Sequence, residues 1–166
     1  IYLMIKKLLF ILTTYLILTV NLFAAGSSDS ESSKTKTDYD RAVSHINVAK
    51  KYEKNGKIKK SKKKYEKALK LLIKSNAESP NKADTLNYLG FTSRKTGDFS
   101  NSEKYYLQGL AIEPDHKGIN EYLGELYVAT DRINLAKERL KVLENCNCEE
   151  FSELKEIIEG NKTSKY

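Results

Sequence analysis

Leu86-Asn87-Tyr88-Leu89-Gly90 and, 34 residues later, Asn120-Glu121-Tyr122-Leu123-Gly124 are two versions of one pattern, and they decide the fold. The recurrence extends outward. Phe99, Ser102, Tyr106 and Gly109 return as Ile133, Ala136, Leu140 and Leu143. A period of this length specifies helix-turn-helix units, each burying its apolar face on the next. Leu86, Leu89 and Ser93 follow one another at steps of three and four, so they share one face of the first helix of a pair. Gly90 lies on that face where a following helix must come close to the backbone. On the second helix Ser102 and Ala136 take the small-residue part, and Tyr106 and Leu140 supply bulk.

The turns around these helices are legible. Pro80 and Pro114 each follow an amphipathic run and stop it, leaving Asn81 and Asp115 to cap the helices that follow. Thr96-Gly97-Asp98 and Thr130-Asp131 make the tight turns inside the two clear units. Helices are therefore predicted over residues 83–95, 99–112, 117–129 and 133–143. Before them, the template fits Val48 to Ala68 and fits again when read from Tyr65 to Pro80, seven residues on. Two helical turns separate the registers, which predicts one long helix over 57–76 after a helix over 39–54. Ala42, Val43, Ile46, Ala49 and Tyr52 form the inner side of that first helix. At the other end Phe151, Leu154, Ile157 and Ile158 share one side of a short helix that caps the exposed end of the stack.

These residues resemble the tetratricopeptide repeat family: Leu86, Leu89, Gly90, Phe99, Ser102, Tyr106 and Pro114 in one unit, and Asn120, Leu123, Gly124, Tyr127, Ile133, Ala136 and Leu140 in the next. The resemblance implies an all-α, right-handed superhelical stack of about three units with a C-terminal capping helix. A closer likeness is to short exported tetratricopeptide proteins of alphaproteobacteria, on residues 84–95, 116–127 and the cysteine pair leading into Glu149-Glu150-Phe151. It implies export and no enzymatic activity. The expected layout is a degenerate first repeat over 38–80, a second over 81–114, a third over 115–147, a capping helix over 148–160 and a flexible tail over 161–166.

Residues 1–26 have a different character. Lys6 and Lys7 precede an apolar run that ends in Ala24-Ala25-Gly26, the order of a secretory signal, with Met4 an ordinary starting point. Export to the periplasm follows, with inner-membrane anchoring through residues 5–25 as the alternative. No cysteine follows the run to carry a lipid. Residues 27–37 are rich in Ser, Lys and Asp and hold no large apolar side chain, so they read as a disordered linker.

The net charge of +7 is concentrated locally. Eleven lysines stand between Lys50 and Lys70 against Glu53 and Glu66. Lys57, Lys59, Lys60, Lys62, Lys63 and Lys64 are the candidates for weak contact with an anionic membrane or envelope polymer. A solvated helix face is the plainer reading of the same run, and nucleic acid is not an expected partner.

The first helix of each pair lines the inner surface of such a stack. Helical phase assigns Val43, Ile46 and Lys50 to it, then Asp84, Asn87, Phe91, Arg94 and Lys95, then Glu121, Glu125 and Val128. Of these, Asn87, Phe91, Arg94, Lys95, Glu121 and Glu125 are the partner-binding candidates, with Phe91 an aromatic anchor beside polar donors or else a partly packed surface ring. The family's carboxylate-clamp pattern is incomplete: Phe91 replaces a polar donor and the third repeat turns acidic. That argues against a chaperone C-terminal tail as ligand.

Cys146 and Cys148 either close a small disulfide, remain thiols or bridge chains, or do redox chemistry. No histidine joins them, so no metal site is expected, and no cofactor. His116 at a helix start needs only a turn or capping role. No catalytic residue is assigned. The function expected is a non-enzymatic adaptor that holds an unidentified envelope protein or extended peptide in its concave groove. The alternatives are a membrane-anchored assembly factor using the lysine-rich repeat, or a thiol-disulfide protein.

Overall fold

A computed structural model describes residues 36–163. The signal or anchor assigned to 1–26, and the linker up to residue 35, lie outside the described residues. Seven helices follow: α1 (Asp38–Lys54), α2 (Ile58–Glu78), α3 (Ala83–Thr96), α4 (Phe99–Ile112), α5 (Lys117–Ala129), α6 (Ile133–Leu143) and α7 (Glu149–Ile158). No strand occurs among the described residues. Consecutive helices pair as α1–α2, α3–α4 and α5–α6, each pair packs on the next, and α7 closes the end against α5 and α6. This is the expected all-α stack of three units and a capping helix.

Local chemistry sets the boundaries. Thr37 accepts from the Asp40 amide at 3.1 Å while the Asp40 carboxylate accepts from the Thr37 amide at 3.0 Å, a reciprocal cap that starts α1. α2 is 21 residues long, against 14 for α4, so the long second helix of the first unit is present. Gly97, at φ 94°, ends α3 in a left-handed conformation that suits glycine. Asp98 then caps α4, accepting from the Asn101 amide at 3.0 Å.

The two caps expected at Asn81 and Asp115 sit one residue later. Asn81 takes a left-handed φ of 60°, and Lys82 holds the extended cap position before α3. His116 caps α5, its Nδ1 accepting from the Ile119 amide at 3.2 Å. Residues 161–163, expected to be part of a flexible tail, turn back on α7. The Asn161 amide donates to the Glu156 carbonyl and Lys162 pairs with Glu153.

Two apolar clusters run through the stack. The first joins Ala42, Ile46 and Ala49 of α1 to Tyr65, Ala68 and Leu72 of α2 and to Leu86 and Leu89 of α3. The second gathers Tyr106, Ile119, Leu123, Leu126 and Ala136. Gly90 is where they meet: a Cβ there would lie 2.4 Å from the Tyr106 ring, so the close neighbour that excludes a side chain at this glycine is the ring of α4 rather than its backbone. Ser102 and Ala136 are fully buried in the small-residue positions, whereas Phe99 and Ile133 at the helix starts stay partly exposed.

Candidate functional site: a polar groove on the odd-numbered helices

α1, α3 and α5 each present one face to a common surface, and α7 adds a fourth wall. They enclose a groove of about 780 Å³ with Phe91 and Tyr122 in its floor. Lys50, Lys54 and Lys95 stand on one side, and Glu121, Glu125, Glu149, Glu150 and Glu153 on the other. A second cleft of about 500 Å³, bounded by Asn87, Tyr88, His116 and Gly118, shares Lys50, Glu121, Tyr122 and Glu150 with it. The two form one channel across three repeats.

The partner-binding candidates divide by depth. Lys95, Glu121 and Glu125 line the main groove with Phe91, and Asn87 lines the adjoining cleft. Arg94 lines neither. Its side chain is wholly buried, donating to the Tyr122 carbonyl at 2.9 Å and to Glu125 at 3.1 Å. It braces α3 to α5 from behind the groove rather than facing a partner. Phe91 is likewise no projecting anchor. It is buried between Tyr65 and Tyr122, with centroids 5.7 and 5.2 Å away, and Lys50 Nζ sits 4.9 Å over its ring. Asn87 packs its amide against Gly118, where an added Cβ would meet Nδ2 at 2.9 Å, and its Oδ1 is buried with no hydrogen-bond partner among the described residues.

Between α1 and α3, Lys95 donates to both carboxylate oxygens of Glu53 at 3.0 and 3.2 Å, and the Tyr65 hydroxyl donates to the same group at 3.0 Å. Burial lowers the Lys95 ammonium from the usual lysine range although Glu53 opposes the shift. Burial first, then the charges of Glu125, Glu150 and Glu153, pushes Glu121 up to about 8. The acidic wall therefore holds a carboxyl group that is neutral over most of the physiological range.

The sign of that shift makes a prediction. A carboxyl with a raised folded-state pKa contributes no loss below its unfolded value near 4.5, and destabilises progressively as pH rises towards 8. Glu121→Gln should leave urea stability unchanged at pH 4 and raise it above pH 8. Equal effects at both ends would show that Glu121 does not titrate in this way.

The remaining sequence candidates lie elsewhere. Lys57, Lys59, Lys60, Lys62 and Lys63 are exposed on or beside α2, with Lys64 half-buried, and only Lys54 of the lysine-rich stretch reaches the groove with Lys50. Cys146 and Cys148 are joined in a disulfide in the turn before α7, their Cα atoms 5.2 Å apart. Among the described residues no group of three or more His, Cys, Asp or Glu side chains is placed to hold a metal ion. Helical phase missed Glu149, Glu150 and Glu153 as groove residues, although Glu150 stands four before the buried Leu154 and so shares its side of α7.

The scaffold is a stack of helix pairs with a groove shared by several units. Residues 83–116, which hold α3 and α4, match the tetratricopeptide repeat family. No curated protein matches the sequence. Among solved structures, the first TPR of Spaghetti (RPAP3) bound to the HSP90 peptide SRMEEVD is similar at 20% identity and a TM-score of 0.53, covering 75% of this chain and 96% of that one. The second TPR domain of the human RPAP3 protein, in complex with the HSP70 peptide SGPTIEEVD, is similar at 18% identity and a TM-score of 0.48, covering 71% and 98%. At 20% identity the likeness to the first of these is one of fold alone.

Proposed function

We propose that this chain is a non-enzymatic adaptor that holds an extended segment of another protein in the channel walled by α1, α3, α5 and α7. The observation that carries this reading is the continuity of the two clefts through Lys50, Glu121, Tyr122 and Glu150. A channel crossing three repeats suits a strand-like segment better than a compact small molecule. The RPAP3 domain of the same fold, bound to a peptide, supports it.

The charge layout narrows the segment. The α7 glutamates Glu149, Glu150 and Glu153 repel an acidic terminus such as that of SRMEEVD and attract a lysine or arginine side chain. The aromatic floor offers that segment apolar contacts. The segment therefore carries a basic residue. We place the adaptor in the periplasm, on the signal-like order of residues 1–26, and amino-terminal sequencing of the mature protein tests that placement.

Binding of the full chain to an array of extended peptides tests the function itself. Peptides with a central Lys or Arg should be retained over acidic-ended ones, and Glu149→Lys with Glu150→Lys should weaken them by roughly tenfold or more. Indifference to peptide charge, or retention of acidic tails, would dismiss this assignment.

A further inference from the structure

We infer that the outer face of α2 is a docking stripe for an anionic lipid bilayer, separate from the groove. α2 carries eight lysines against two glutamates. Lys59, Lys63, Lys67 and Lys70 follow at steps of four, four and three, so they fall in one line along the helix. Ser61, Tyr65, Ala68 and Leu72 are buried on the opposite side. All four lysines of the line are exposed, and none forms an ion pair among the described residues. Only Lys74, beyond the line, is neutralised, by Asp38 at 2.7 Å.

Like charges three and four apart destabilise a helix. This helix accumulates several such pairs, with only Glu66 and Glu78 to offset them from within, and a surface supplying negative charge would relieve the rest. The field also reaches α1. Burial lowers His45 from the usual histidine range, and the charges of Lys64, Lys67 and Arg41 lower it further.

The residue types select a bilayer over a nucleic acid. Lysine offers a hydrated point charge, whereas arginine's planar fork, suited to individual phosphates, is absent from α2. The only aromatic side chain on α2, Tyr65, is buried, so no ring is presented for base stacking. Ile73, half exposed three residues beyond Lys70, adds an apolar contact beside the stripe. A straight line of diffuse positive charge on a convex helix matches a plane of anionic headgroups. The stripe also belongs to the repeat that follows the apolar stretch of residues 8–25 in sequence.

The test mixes the full chain with phosphatidylcholine vesicles and with the same vesicles doped with phosphatidylglycerol. The difference between the two cancels whatever the apolar N-terminal sequence contributes to both. One variant replaces Lys59, Lys63, Lys67 and Lys70 with Gln. A control makes the same net change at Lys104, Lys117, Lys137 and Lys141, also exposed. The stripe variant should lose roughly 100-fold of the phosphatidylglycerol-dependent partition with its helical circular dichroism intact, the control far less. Added salt should remove the same increment from the parent chain. An unchanged stripe variant, or an equal loss in the control, overturns the inference. So does soluble polyphosphate that binds the stripe as tightly as the vesicles do, which would make the partner a dissolved polyanion.

Discussion

Replacing Arg94 with Met is expected to lower the unfolding free energy by about 3–5 kcal/mol, because it removes one half of a buried ion pair. The Arg94 side chain is completely covered and Glu125 nearly so, at 7% exposure. Without the guanidinium, Glu125 is left beside Glu121 and close to the glutamates of α7, in a setting that already disfavours charge. The Tyr122 carbonyl loses its donor in the same step. Converting both residues, Arg94→Met with Glu125→Met, should recover much of the loss, since the second change removes the stranded carboxylate. Urea unfolding of the two singles and the double measures this. A single-variant loss below about 1 kcal/mol, or a double no better than the single, would show that the pair does not brace the stack. The same geometry rules out Arg94 charge reversal as a probe of binding, because the variant would lose its fold along with its partner.

The second large effect concerns the joint between α5 and α7. Leu154 is fully buried, and its branch lies where Gly124 has no side chain: an added Cβ would come within 2.5 Å of Leu154 Cδ2. Leu154→Ala should cost about 2–5 kcal/mol through the cavity it leaves. Gly124→Ala alone should cost about 1–3 kcal/mol by overpacking. Together they should cost clearly less than the sum, because each makes the room or fills the void that the other creates. Strict additivity in thermal or urea melts would mean that α7 does not seat on α5 through this contact.

Much of the fold was legible because the signals were local. α4, α5 and α6 begin and end at the expected residues, each between turn residues that fix the backbone, such as Gly97 with its positive φ and Pro114. Depth was harder to read. Helical phase gives the direction of a side chain but not what the next repeat lays over it. Phe91 reaches the groove but is covered by Tyr65 of α2 and Tyr122 of α5, and Arg94 turns behind the groove to Glu125 of α5. Arg94 meets the Tyr122 carbonyl 28 residues away and Glu125 31 residues away, separations across which a single sequence carries no pairing signal. The cap positions slipped for a different reason. Asn81 satisfies the composition of a cap, but its left-handed φ uses it to turn the chain, and the extended residue after it becomes the boundary.

α7 has two roles at once: it covers the last apolar surface of the stack and contributes Glu149, Glu150 and Glu153 to the channel. At 10 residues α7 is the shortest of the described helices, and a short helix is prone to detach. When it does, Glu149, Glu150 and Glu153 leave the groove with it. Apparent affinity for a segment is then the intrinsic affinity scaled by the fraction of chains with α7 seated. For the proposed adaptor, whatever shifts that fraction would act as a gain control on capture without touching the bound segment, and the Cys146–Cys148 bond stands at the start of the helix that moves.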